Sequence, residues 1–176
     1  MSVVLLAEVK THLNVTVTTS DTELQTFIDS AEATLTNRVG PLAPTSATAR
    51  LCGGVSALAL PITPVVSLTS VTPADGGAAL TLTDLHLETG SGLVTYNANR
   101  AFTARYYDVV YSAGRSTCPE DLKMAVKELV RHLWASQRGT GVRPGSPQSE
   151  PVAGAGYLLP YRVQELLAPH LQHALA

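Results

Sequence analysis

Pro119-Glu120-Asp121-Leu122-Lys123-Met124-Ala125-Val126-Lys127-Glu128-Leu129-Val130-Arg131-His132-Leu133-Trp134 carries the strongest helical period in the chain. Leu122, Ala125, Val126, Leu129, Val130, Leu133 and Trp134 recur at i, i+3, i+4 and i+7, the spacing of one face of an α-helix. Lys123, Lys127, Glu128 and Arg131 fall on the other sides. Pro119 suits the first turn, where its missing N–H costs nothing, and Glu120 and Asp121 favour the positive end of the dipole. The pattern predicts a helix over 119–137, ending before Gly139.

Upstream of this helix the period is two. Val65 to Thr72 alternates β-branched and polar residues, and Asp75-Gly76-Gly77 signals a turn. Leu80, Leu82, Leu85 and Leu87 continue the alternation. Gly90-Ser91-Gly92 turns the chain into Leu93 to Tyr96, and Arg105 to Ser112 is rich in Tyr and Val. The region 48–114 therefore predicts a small antiparallel β unit of about four to six strands. Before it, Ser20 with Glu23 has the form of a capping box. Leu24, Phe27, Ile28, Ala31, Leu35 and Val39 follow on one face until Gly40-Pro41, predicting a helix over 20–39. Leu6, Val9 and Leu13 predict a shorter one over 5–14.

Downstream, 139–156 is rich in Gly and Pro with little apolar content and reads as a flexible linker. Pro160 can open a last helix carrying Val163, Leu166 and Leu167 along one side, interrupted at Pro169. A helix this short is marginal alone and needs a partner surface, in cis or in trans. The expected fold class is α+β: a mainly helical core with an inserted antiparallel β unit and a tethered C-terminal helix. The expected organisation is one domain over 1–138, the linker, and a partner-docking helix over 157–176.

Hydrophobic residues make up 45% of the 176 and charged residues 15%, against a usual ~25% charged. So little charge suits a surface largely covered by neighbouring subunits. The net charge of −2 gives no support for tight binding to bare nucleic acid, which draws on a basic face. No apolar run approaches the ~20 residues of a membrane helix, and Met1 to Leu6 has no basic residue ahead of its apolar stretch, unlike a signal peptide. Cys52 and Cys118, without a secretion signal, are expected to be reduced thiols.

Catalytic chemistry finds no foothold. There is no G-x-S-x-G, no P-loop, and neither cysteine sits in a catalytic context. Asp75, Asp84, Asp108, Glu120 and Asp121 are scattered over turns and helix starts. Of the five histidines, His12, His86, His132, His170 and His173, only the last two are close, and a solvated pair is the plainer reading than a metal site. Trp134 is expected in the core and His132 at the surface. Lys123, Lys127, Arg131, Arg138 and Arg143 form a loosely basic stretch, read either as an exposed helix face or as a phosphate-facing strip. Tyr106, Tyr107 and Tyr111 fit sheet packing better than base stacking. No cofactor and no metal are expected.

The order of these segments resembles the head–tail connector (adaptor) family of long-tailed bacteriophages. The likeness rests on Val9-Lys10-Thr11-His12-Leu13 and on Asp21-Thr22-Glu23-Leu24 leading to Gly40-Pro41. It continues through Leu60-Pro61, Pro64-Val65-Val66-Ser67-Leu68-Thr69-Ser70-Val71-Thr72 and Tyr111-Ser112-Ala113-Gly114, then Pro119-Glu120-Asp121-Leu122-Lys123 and Leu133-Trp134. Leu159-Pro160-Tyr161-Arg162-Val163 and Leu166-Leu167-Ala168-Pro169-His170 complete it. The resemblance implies a non-catalytic virion protein at the head–tail junction, present in the host cytoplasm before assembly. It implies a dodecameric ring beneath the portal protein, lengthening a channel through which DNA passes without specific binding, and offering a surface to a tail or stopper protein. Portal docking is expected through Tyr157, Leu158, Leu159, Tyr161, Val163, Leu166 and Leu167. The competing readings are another head–tail joining protein, either a stopper or a tail-completion subunit, and a small DNA-binding accessory protein.

Overall fold

The computed structural model describes residues 2–138 and 159–171. It divides into two compact units, Met1–Val39 with Cys118–Ala176, and Gly40–Thr117. The first unit is helical. It contains α1 (Leu6–Leu13), α2 (Asp21–Val39), α3 (Glu120–Arg138) and α4 (Tyr161–Leu167), the last followed by a 3-10 turn over Ala168–His170.

The apolar stripe of α2 (Leu24, Ile28, Ala31, Leu35 and Val39) is fully buried. It packs with the α3 stripe of Leu122, Ala125, Val126, Leu129 and Val130. Burying side chains of this size stabilises by about 1.5–3 kcal/mol each for the larger ones, so these two stripes dominate the unit. Phe27 and Trp134 meet edge to face at 6.3 Å and are only half-buried. At its start, α3 takes its first backbone bond from the Lys123 N–H to the Pro119 carbonyl, 3.1 Å. Helix α2 stops at Gly40, whose φ of 80° places it in the left-handed region that ends many helices.

The second unit holds six strands: β1 (Thr45–Cys52), β2 (Ala57–Ala59), β3 (Val65–Pro73), β4 (Leu85–Glu88), β5 (Leu93–Tyr96) and β6 (Tyr106–Ala113). They form two antiparallel three-stranded sheets, ordered β1-β6-β3 and β2-β5-β4. One face of β6 (Tyr107, Val109, Tyr111 and Ala113) meets Leu58, Leu85, Val94 and Phe102 in a shared core. The centre is aromatic: Phe102 lies 4.7 Å from Tyr96 and 5.3 Å from Tyr107 between ring centroids. After β6 the chain must pass the backbone of Ala43. Gly114 has φ 115°, and a Cβ there would lie 2.2 Å from the Ala43 carbonyl oxygen, so only glycine fits.

The α+β class stands, but the expected mainly helical balance does not, since among the described residues helix takes 39% and strand 26%. The alternation expected through Leu80 and Leu82 is also not strand. Leu82–Asp84 is a 3-10 turn, held by the Asn97 side-chain N–H to the Thr83 carbonyl and the Asn97 backbone N–H to the Asp84 carbonyl, both 2.9 Å. The expected linker over 139–156 lies outside the described residues.

Candidate assembly surfaces

The positive residues of α3 are neutralised locally. Lys123 Nζ lies 2.7 Å from Glu120 Oε1, Lys127 Nζ 2.9 Å from Glu8 Oε2, and Arg131 3.6 Å from Glu128. The hydrogen bond from Lys123 holds the Glu120 carboxyl below its ordinary value, and the same bond raises the lysine. A phosphate-facing strip needs uncompensated cations, and these three have carboxylate partners. The Arg138 side chain and Arg143 lie outside the described residues. The aromatic alternative fares no better. Tyr107 and Tyr111 are buried, their hydroxyls accepting hydrogen bonds from the Ala104 and Ile62 backbone N–H groups. Tyr106 alone is exposed, with Arg105 over its ring.

Glu128 stands near basic side chains of α1, of α3 itself and of α4. His12 Nε2, Arg131 and Arg162 approach it at 3.7, 3.6 and 3.8 Å. For the two arginines these distances are ion-pair proximity, and all three exceed good hydrogen bonds. His132, expected at the surface, is half-buried with its Nε2 buried and no hydrogen-bond partner for that atom.

Of the expected solvated histidine pair, the reading of His170 is corrected. His170 Nε2 lies 2.6 Å from Asp121 Oδ2, 49 residues away in sequence. That bond is the main cause holding the Asp121 carboxyl below the ordinary 3.8, helped by the Leu122 N–H, which donates to Asp121 Oδ1 at 2.8 Å. His173 lies outside the described residues. Among the described residues no cluster of three or more His, Cys, Asp or Glu is placed to hold a metal ion. Nor is any described helix long and apolar enough to cross a membrane.

The expected docking residues divide. Val163 and Leu167 are fully buried against the helical unit, Leu159 and Leu166 are half-buried, and Tyr161 is 75% exposed. Tyr157 and Leu158 lie outside the described residues. Helix α4 thus finds in α3 the partner surface its length requires.

In the β unit, β1 is an open edge. It pairs with β6 along its whole length, while its other edge has no strand partner among the described residues. The opposite edge of that sheet is partly occupied: the Leu80 N–H donates to the Val71 carbonyl and the Val65 N–H to the Thr89 carbonyl, both 2.8 Å. The exposed side of β1 carries Ser46, Thr48, Arg50 and Cys52. Its one charge is matched across the strand, Arg50 donating to both Asp108 oxygens at 2.7 and 2.9 Å. That pairing lowers the Asp108 carboxyl and raises the guanidinium. An unpaired, nearly uncharged edge is a template for strand addition. Which edge stays open is not legible in the alternation, which reports faces and not neighbours.

Solved structures share the fold. A chain in the neck of an empty GTA particle computed with C6 symmetry matches with TM-score 0.70 and 17% identity, over 99% of this chain and 92% of that one. A chain in the virion of a native gene transfer agent (GTA) particle matches with TM-score 0.68 and 18% identity, over 99% and 92%. A third, in the neck of the native GTA particle computed with C12 symmetry, gives 0.64 and 18%, over 97% and 90%. No curated protein matches the chain significantly. The family model described as head completion protein matches residues 3–144, most of the chain, and the protein therefore belongs to the head completion protein family.

Proposed function

We propose that this chain is the ring-forming head–tail connector (adaptor) of a phage-like particle. It docks beneath the portal, extends the DNA channel and presents the surface to which the tail or a stopper attaches. The observation that carries this reading is the head completion family match over residues 3–144. The similar chains in particle necks computed with C6 and C12 symmetry support a ring, which the connector reading takes to be a dodecamer.

The physical features agree with an assembly role. A ring of one kind of subunit joins two different surfaces of each copy, an interface that closes by rotation. The bare edge of β1 offers one such surface. The local pairing of Lys123, Lys127 and Arg131 removes the cationic strip a DNA-binding accessory protein would use. It also suits a channel wall, where strong positive charge would retard moving DNA. The C-terminal segment from Tyr157 onward is the portal-docking element, attached to a connector domain over residues 1–138 through 139–156. The role is structural, and no reaction is assigned to the chain.

The test is a deletion of 157–176 in particles assembled with the variant as the sole source of this protein. The expected result is a folded variant that fails to join heads, leaving DNA-filled heads without tails. Normal attachment of the truncated protein removes the docking reading. Heads that retain DNA and acquire tails with no copy of this protein present would remove the connector reading altogether.

A further inference from the structure

The residues proposed to dock on the portal are in part already used within the chain. Val163 and Leu167 are 0% and 2% exposed, and α4 packs on α3 of the same chain. A docking site in trans that takes up these two side chains is incompatible with their place on α3.

Two charge pairs bracket the contact. At the start of α4, Arg162 Nε lies 3.8 Å from Glu128 Oε1. Just beyond its end, His170 Nε2 lies 2.6 Å from Asp121 Oδ2. Glu128 and Asp121 are seven positions apart on α3, which is two helical turns and one face. Arg162 and His170 are eight apart in the opposite sense, so α4 runs antiparallel to α3, with Val163 and Leu167 between the pairs. Helix α4 has only seven residues and no side-chain N-cap, so its own backbone contributes little to holding it in place. Among the described residues, the contact includes two buried apolar side chains of α4 and two partly exposed charge pairs.

We propose that α4 and the turn after it form an intramolecular latch, with Asp121 and Glu128 of α3 as its anchors, masking the docking side chains until the portal competes for them. This rests on the docking reading above and adds its regulation: the free subunit is held in an occluded state, and attachment requires α4 to leave α3.

The test keeps the docking segment unaltered and changes only α3. In the full-length protein Asp121→Asn and Glu128→Gln remove the anchor charges. Asn keeps the acceptor that caps the Leu122 N–H. Hydrogen exchange is followed over residues 161–170, with α2 as an internal reference. Losing two partly exposed pairs is expected to raise exchange in α4 about tenfold and leave α2 unchanged. The same variant, titrated onto portal-bearing heads isolated without this protein, is expected to half-saturate at a correspondingly lower concentration. Unchanged exchange in α4 overturns the assignment of the anchors. Faster exchange without tighter attachment overturns the masking, provided the 157–176 deletion does abolish attachment; if the deletion attaches normally, the docking reading itself has failed. If the double variant does not fold, Asp121→Asn alone carries the same test.

Discussion

Truncating Leu167 to alanine separates a locally docked helix from one that is part of the cooperative bundle. Leu167 is 2% exposed and is one of two fully buried apolar residues on α4. Its full burial is worth about 1.5–3 kcal/mol, and alanine retains only the first carbon of the side chain. A loss of about 2 kcal/mol changes the ratio of docked to undocked α4 about thirtyfold. Leu122, fully buried on α3, provides the contrast, since a core Leu→Ala costs about 2–5 kcal/mol and must be met by the whole bundle. Hydrogen exchange by residue and thermal unfolding are measured for both variants. Leu167→Ala is expected to abolish protection in 161–170 while the melting temperature barely moves. Leu122→Ala is expected to lower the melting temperature by several degrees. If Leu167→Ala destabilises the bundle as much as Leu122→Ala does, α4 folds with the core and the latch reasoning fails.

Three further outcomes follow from particular contacts. The Asp121 carboxyl, followed by NMR titration, should titrate below 3.8, and His170→Ala should bring it back up; no change on that substitution would remove the bond from the account. Because the folded value is the lower one, the contribution of Asp121 is present above the unfolded value and lost as pH falls through the folded one. Protection of α4 should therefore hold from neutral pH down to the ordinary carboxylate range and decline below it. Gly114→Ala places a Cβ against the Ala43 carbonyl at a positive φ and should destabilise the β unit by about 1–3 kcal/mol, read by calorimetry; a neutral result would mean the turn rearranges freely. Tyr111→Phe deletes the acceptor for the Ile62 N–H and should cost about 0.5–1.5 kcal/mol in denaturant unfolding, with no loss if water substitutes.

How much of this was legible in the sequence depended on the range of the interaction. The helix predicted over 119–137 is Glu120–Arg138, and the one over 20–39 is Asp21–Val39, because an amphipathic stripe of five or more residues leaves little choice of period. The strands at Val65, Leu93 and Tyr106 were legible for the same reason. Leu80 and Leu82 alternate with polar residues just as a strand does, yet Asn97 holds the following residues in a 3-10 turn, and no local pattern shows that bond. Strand β2 has three residues, too few to carry a period. The division into two sheets, the bare edge of β1 and the His170–Asp121 bond all depend on residues brought together from far apart. Within the candidate docking segment, composition identified apolar residues in need of a partner, but not that α3 supplies one for Val163 and Leu167.

The connector reading has copies of this chain close into a ring at the head–tail joint, a geometry that cryo-electron microscopy of native particles shows without intermediaries. It predicts a closed ring, twelve copies in the dodecameric reading, between the portal vertex and the tail, with residues 157–171 against the portal. A neck map with no density for this fold, or the chain found elsewhere in the particle, would contradict it.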